Sequence, residues 1–362
     1  MAIAEPLRRL GLLNVGGIGD NLLFTPVITT LRKAFAAAGW KTELVMMLER
    51  RSVGAVHLMP PVDAVVPLEV QGRNRLTLGW SLYQALRHNH LDGIISCGSS
   101  PLIAPVLWAS GVPFKVGFDS GKLSHSFLTA PAPLNRQGYA GNMYHALAEV
   151  ALDALGLPQP EVRLLEPRIA LTPADMTWYR ETISPLLLGQ NKPTVLIHPG
   201  VSQLSIDKGI VKRWHPQRWA EAIDRLSPHA TVLLAGGPDD AETITTIQHH
   251  LAERYPNAAA TVISLVGVTR SLRHLAVVMA HMQLVLCTDS APMHVAVGVE
   301  TSVVALFGEL EPARLLPPHP RYVAVQEAVA SVRSQPEFLE IPVDTVVKAV
   351  LNQLGSRVMI HG

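Results

Sequence analysis

Five residues near the amino terminus, Gly16-Gly17-Ile18-Gly19-Asp20, place a carboxylate directly after a glycine-rich turn. Glycines let the backbone bend sharply and let a ligand approach the main chain. The carboxylate could take a proton from a substrate hydroxyl, or it could simply cap the following helix. A dinucleotide fingerprint fits poorly: counting from Gly17 and Gly19, the third glycine position holds Leu22, and Glu49 lies about 30 residues on rather than ~20.

Three further clusters lie in the second half. His198-Pro-Gly-Val-Ser202 is followed by Lys208, Lys212 and Arg213. Hydroxyls, amides and cations in that order suit a phosphate-facing surface, or a merely solvated basic loop. Cys287-Thr-Asp-Ser-Ala-Pro-Met-His294 has a capping serine and a proline at a helix start, where free N–H groups attract anions. Ala235-Gly-Gly-Pro-Asp-Asp-Ala-Glu242 puts acids at the opening of a helix. They could bind ribose hydroxyls or stabilise the helix dipole. Other patterns fail. Gly117–Leu123 is one residue short of a P-loop, and His88 and His90 do not share a helix face. No His-Glu-x-x-His, Asp-x-Asp or Gly-x-Ser-x-Gly occurs.

Strands must end at each of these loops. Leu10–Val15, Thr42–Leu48, Ala64–Val70, Gly93–Cys97 and Phe114–Phe118 read as strands. Asp20–Ala38, Ser81–Arg87, Leu102–Ala109 and Met143–Leu155 read as helices. The polar stretch Asp119–Asn142 lacks periodicity and is expected to be a functional loop. Four prolines between Leu157 and Pro173 mark a crossover. Beyond it the alternation restarts. Thr194–Gly200, Ala230–Gly237, Thr261–Gly267, Gln283–Ser290 and Thr301–Gly308 are expected strands, and Pro216–Leu226, Ala241–Glu253, Ser271–His281 and Val343–Leu354 expected helices. The expectation is an α/β protein of two Rossmann-like halves, 1–170 and 171–340, with a C-terminal helix in 341–362 that packs back toward the first half.

Composition narrows the class. The 362 residues are 48% hydrophobic and 16% charged, which excludes disorder. Lys plus Arg (30) nearly balance Asp plus Glu (29), which argues against a nucleic-acid binder. The two cysteines, Cys97 and Cys287, offer no disulfide framework and fit a reducing cytoplasm. The most apolar stretch, Leu275–Cys287, is too short to span a bilayer and is broken by His281 and Gln283. A soluble cytoplasmic protein is expected, with at most peripheral contact at the inner face of the inner membrane.

Taken together the motifs resemble those of glycosyltransferase family 9, the lipopolysaccharide heptosyltransferases. Gly16–Phe35, the two segments His198–Ser202 and Lys212–Leu226, Leu233–Glu242, and Cys287–Pro312 match its signatures in order and spacing. The resemblance implies a GT-B fold, an acceptor-binding first domain and an ADP-heptose-binding second domain. It implies an inverting transfer to a lipopolysaccharide core that needs no metal or other cofactor. By position, Asp20 matches the general base and Lys212 the lysine on the donor phosphates, with Lys208 competing for that role. Ser202, Ser290, Ala291, Met293 and His294 are placed on the phosphates, and Asp289, Asp240, Gly200 and Gly236 on the sugar and nucleotide. Ala291 stands where the family has glycine. Gly17, Gly19, Arg50, Arg51, Arg73, Arg75, Lys122 and Arg136 are candidates for an anionic glycolipid acceptor. Two other functions are compatible with the architecture, a nucleotide-sugar epimerase and a non-catalytic sugar-nucleotide-binding relative.

Overall fold

Arg9–Asn14 is a short run whose central residues are almost wholly buried, and it forms β1, an inner strand of a parallel sheet. A computed structural model describes this and the other elements over residues 5–70, 75–100, 102–161, 165–207, 209–328, 333 and 335–358. The chain divides into two compact units, Met1–Arg168 and Ile169–Gly362.

In the first unit, β1 leads into α1 (Ile18–Leu23) and α2 (Thr25–Ala37). The sequence suggests one continuous helix here. The chain breaks at Phe24 because Pro26 opens α2 and has no N–H to carry the helix through. Then follow β2 (Glu43–Glu49), a 3₁₀ segment (Arg50–Leu58), β3 (Ala64–Leu68), α3 (Arg75–His88) and β4 (Gly93–Ser96). The unit ends with α4 (Ile103–Ala109), β5 (Phe114–Asp119), α5 (Lys122–Phe127), β6 (Ala130–Pro133) and α6 (Ala140–Ala154). The stretch Asp119–Asn142, expected to be a loop, therefore holds a helix and a strand. Its Ala-Pro-Ala-Pro sequence hides the strand, which is possible only because β6 is an edge strand.

The sheet order is β3-β2-β1-β4-β5-β6, parallel throughout. Strand order reverses between β1 and β4, the switch point at which open α/β sheets bind ligands. Crossovers running in the two directions put helices on opposite faces. Accordingly α2 packs on α6, while α4 packs between α3 and α5.

The second unit repeats the plan. It begins with α7 (Pro173–Thr182), capped by the reciprocal Thr172–Asp175 pair, then β7 (Thr194–His198), α8 (Gln203–Asp207) and β8 (Arg213–Trp214). Next come α9 (Pro216–Leu226), β9 (Thr231–Leu234), α10 (Ala241–Arg254), α11 (Pro256–Thr261), β10 (Ile263–Ser264) and α12 (Leu272–Ala280). The closing elements are β11 (Leu284–Thr288), α13 (Ala291–Gly298), β12 (Ser302–Phe307), β13 (Tyr322–Gln326), β14 (Phe338–Leu339) and α14 (Val343–Val358).

This sheet runs β10-β9-β7-β11-β12-β13, with its switch point between β7 and β11. The expected strand Thr261–Gly267 shrinks to β10, because α11 claims its first residue. Val346, Val350 and Leu354 of α14 join Trp219 and Ile223 of α9 in one buried cluster of this unit. No helix among the described residues is long and apolar enough to cross a membrane.

Candidate active site

The Gly16–Asp20 loop leaves β1 at the first switch point. Asp20 is not the cap residue of a helix starting at Asn21. The helix starts at Ile18, and Asp20 sits in its first turn, where Oδ2 accepts the Gly17 N–H at 2.9 Å. Gly16 is required: a Cβ there would lie 2.6 Å from the Asp20 Cβ. Asn14 accepts the Gly16 N–H at 3.0 Å, and Ser52 donates to the Gly16 carbonyl at 3.0 Å, so the 3₁₀ segment after β2 braces the loop. The other Asp20 oxygen, Oδ1, faces the Tyr144 hydroxyl of α6 at 3.4 Å. Burial, with the Asp20 charge nearby, pushes the Cys97 thiol up and keeps it neutral.

The same lock recurs in the second unit. Asp240 Oδ2 accepts the Gly237 N–H at 2.8 Å, and a Cβ on Gly236 would lie 2.9 Å from the Asp240 Cβ. The two carboxylates differ in their surroundings. Asp20 is half-buried, whereas Asp240 is 8% exposed, lies 3.7 Å from His198 Nε2 and packs so closely on Gly200 that no Cβ fits there. Asp240 is thus placed to hold the turn.

At the second switch point the ends of β7 and β11 converge. Thr288 Oγ1 and Ser290 Oγ both donate to the Gly200 carbonyl, at 3.0 and 3.3 Å. Lys212 reaches the same place. Its Nζ donates to the Asp289 carbonyl at 2.8 Å and lies 3.1 Å from Asp289 Oδ2. The ammonium therefore stands beside the start of α13, so two sources of positive potential coincide. Met293 adds nothing outward: its side chain is fully buried and its N–H donates to the Ser290 carbonyl. Ser202 is exposed and bonds Ser205, and Lys208 lies outside the described residues. Ala291 is half-buried at the first position of α13. A cavity of about 300 Å³ lined by Lys192 and Thr231 opens at the amino end of β9, away from these groups.

His294 is 5% exposed. Burial and the nearby Lys212 ammonium hold its imidazole down, to about 3. The folded chain therefore keeps it neutral at pH values where an unfolded chain would protonate it, near 6.5. Stability from this residue is intact above that value and is lost as the pH falls through it, because the unfolded state then binds the extra proton. The fall in Tm between about pH 7 and about pH 5 is expected to be smaller in His294→Asn than in the native chain. An equal fall would assign the acid sensitivity elsewhere.

Among the described residues, the cations expected to meet an acceptor are spread over several elements. Arg50 pairs with Glu69, and Arg51 lies 3.8 Å from Glu49. Lys122 and Arg136 are exposed, after β5 and after β6. Arg73 lies outside the described residues, and Arg75 only marks the start of α3. Because the strands are parallel, Arg50, Asp20 and Lys122 follow carboxyl ends on one edge of the sheet, with Asp20 in the middle. Gly17 and Gly19 are half-buried in the Asp20 loop. Tyr144 was not signalled by the sequence: it lies 124 positions from Asp20, inside an ordinary amphipathic helix.

The sequence model of glycosyltransferase family 9 (heptosyltransferase) matches residues 79–338, more than half of the chain. The chain belongs to glycosyltransferase family 9. It is 24% identical over 298 residues to lipopolysaccharide heptosyltransferase 3 of Escherichia coli, covering 80% of each chain. The glycosyl transferase family 9 structure from Veillonella parvula superposes with a TM-score of 0.72 at 21% identity, over 98% of this chain and 99% of that one. An E. coli heptosyltransferase solved with ADP-2-deoxy-2-fluoro heptose gives 0.64 at 16% identity, over 95% and 99%. The fold is GT-B, and a family 9 protein is a glycosyltransferase, which removes the epimerase and the non-catalytic relative from consideration.

Proposed function

We propose that this glycosyltransferase moves a heptose from ADP-heptose to a lipopolysaccharide core acceptor, with inversion and without a metal. The observation that carries the reading is Lys212 standing against the start of α13 at the switch point of the second sheet. As the bond from the anomeric carbon to the phosphate oxygen breaks, the leaving diphosphate gains charge. An ammonium and a helix start can stabilise that charge in place of a metal ion. The acceptor oxygen forms the new bond to the anomeric carbon, and its proton passes to the Asp20 carboxylate. The likeness to a lipopolysaccharide heptosyltransferase and to a heptosyltransferase solved with ADP-2-deoxy-2-fluoro heptose supports the donor and the acceptor class.

The test is a transfer assay with ADP-heptose and a core acceptor, following ADP release and product mass. ADP should appear only when the acceptor is present, and a chelator should leave the rate unchanged. Sugar conversion without acceptor, a chelator-sensitive rate, or no transfer from ADP-heptose would each overturn the corresponding part.

A further inference from the structure

Asp20 is held at both carboxylate oxygens. Oδ2 accepts the Gly17 N–H at 2.9 Å, a bond within its own loop. Oδ1 accepts from the Tyr144 hydroxyl at 3.4 Å, a contact that spans 124 positions. The terminal torsion of an aspartate is broad, so one anchor leaves the carboxylate free to rock. A second anchor, on the other oxygen and from a different element, limits that motion. A carboxylate can accept about four hydrogen bonds, so the two contacts still leave room for an incoming hydroxyl.

Both partners stand on braced supports. In the loop, the fully buried Asn21 donates through Nδ2 to the Gly16 and Gly17 carbonyls, at 3.1 and 2.8 Å. On α6, Gly141 lies so close to the Leu165 carbonyl that a Cβ would fall 2.3 Å from its oxygen. Next to Tyr144, His145 Nε2 and Thr30 Oγ1 share a buried hydrogen bond of 2.9 Å, which ties α6 to α2. The Tyr144 ring meets Phe24 edge-on, with centroids 6.0 Å apart, and Phe118 at 6.4 Å. Phe24 and Phe118 are themselves buried, and Tyr144 is 8% exposed. A ring wedged in this way gives up little further freedom to place its hydroxyl. Packing alone would be served as well by phenylalanine, so what the tyrosine adds is the hydroxyl on Oδ1.

We propose that Tyr144 is a positioning residue for sugar transfer: its hydroxyl fixes the plane of the Asp20 carboxylate so that a lone pair faces the acceptor hydroxyl. The proposal rests on the reading of Asp20 as the base. Tyr144 keeps its own proton throughout and makes no bond to either substrate. Its contribution is orientation, which matters because a misplacement of 1 Å at a reacting group can cost about 10²-fold in rate. Losing one of two anchors should cost less than that.

The test is a double-mutant cycle on the full chain, with ADP-heptose and a core acceptor as substrates. Tyr144→Phe keeps the ring and removes the hydroxyl. It should melt normally, keep donor Kd and acceptor KM, and lose about tenfold in kcat. In the Asp20→Asn background the same change should cost nothing further, because no proton acceptor is left to orient. Native kcat in Tyr144→Phe would overturn the proposal. So would an equal loss of kcat in both backgrounds, which would mark a structural effect independent of Asp20. A raised acceptor KM with kcat intact would overturn it too, and would make Tyr144 an acceptor contact instead. Failure of the underlying reading shows separately: Asp20→Asn alone would then keep its kcat, and the proposal would fall with it.

Discussion

Asp20→Asn is expected to lower kcat by about 10²- to 10⁴-fold while donor affinity and Tm stay close to native. The bond that holds the turn and the proposed proton transfer make different demands on this side chain. Asp20 Oδ2 accepts the Gly17 N–H, and an asparagine carbonyl can accept the same bond, so the turn survives the change. What asparagine cannot do is take the acceptor's proton. Asp240 supplies an internal comparison, since it makes the same bond to Gly237 but is nearly closed off. Asp240→Asn should cost little in kcat if the two carboxylates differ as their surroundings indicate. The measurements are kcat, donor Kd by titration and a thermal melt on each variant. Retention of more than about a tenth of native kcat in Asp20→Asn, with chemistry limiting turnover, would make Asp20 a structural residue.

Lys212→Met should damage both binding and stability. The Lys212–Asp289 pair is largely buried, with side chains 14% and 3% exposed. Removing one member of such a pair costs about 3–5 kcal/mol, because the remaining charge has lost its counter-ion. Adding Asp289→Asn removes that charge and should restore much of the Tm. Transfer should remain lost in the double variant, because the ammonium proposed to face the diphosphate is still absent. A purely structural pair would recover Tm and activity together, so recovery of both would remove Lys212 from the donor site.

Much of this was legible in the sequence because the signals are local. A strand that ends on Gly-Gly-x-x-Asp, or a helix that opens on Ser-Ala-Pro, carries its own turn chemistry, and β1, β2, β7, α9 and β11 fall within a residue or two of expectation. The misses have non-local causes. β8 and β14 are two residues each and pair across more than a hundred positions, so neither has a pattern of its own. β6 carries alternate prolines that read as loop until its place at the sheet edge is known. In the site, Lys212 and Asp289 each stand out as residue types, but their contact spans 77 positions and needed the fold. The ion pair of Arg50 with Glu69 was likewise unread, since the two lie 19 positions apart on successive segments.

The prolines of β6 have a consequence for the chain in a crowded solution. The opposite edge of the same sheet, β3, carries Pro67. A stranger strand that tried to extend either margin would need a row of amide hydrogens, and Pro67 on one side and Pro131 and Pro133 on the other do not have them. Both margins are thereby spoiled as templates for cross-β growth. Newly made or refolding first units are thereby hindered from joining edge to edge into aggregates.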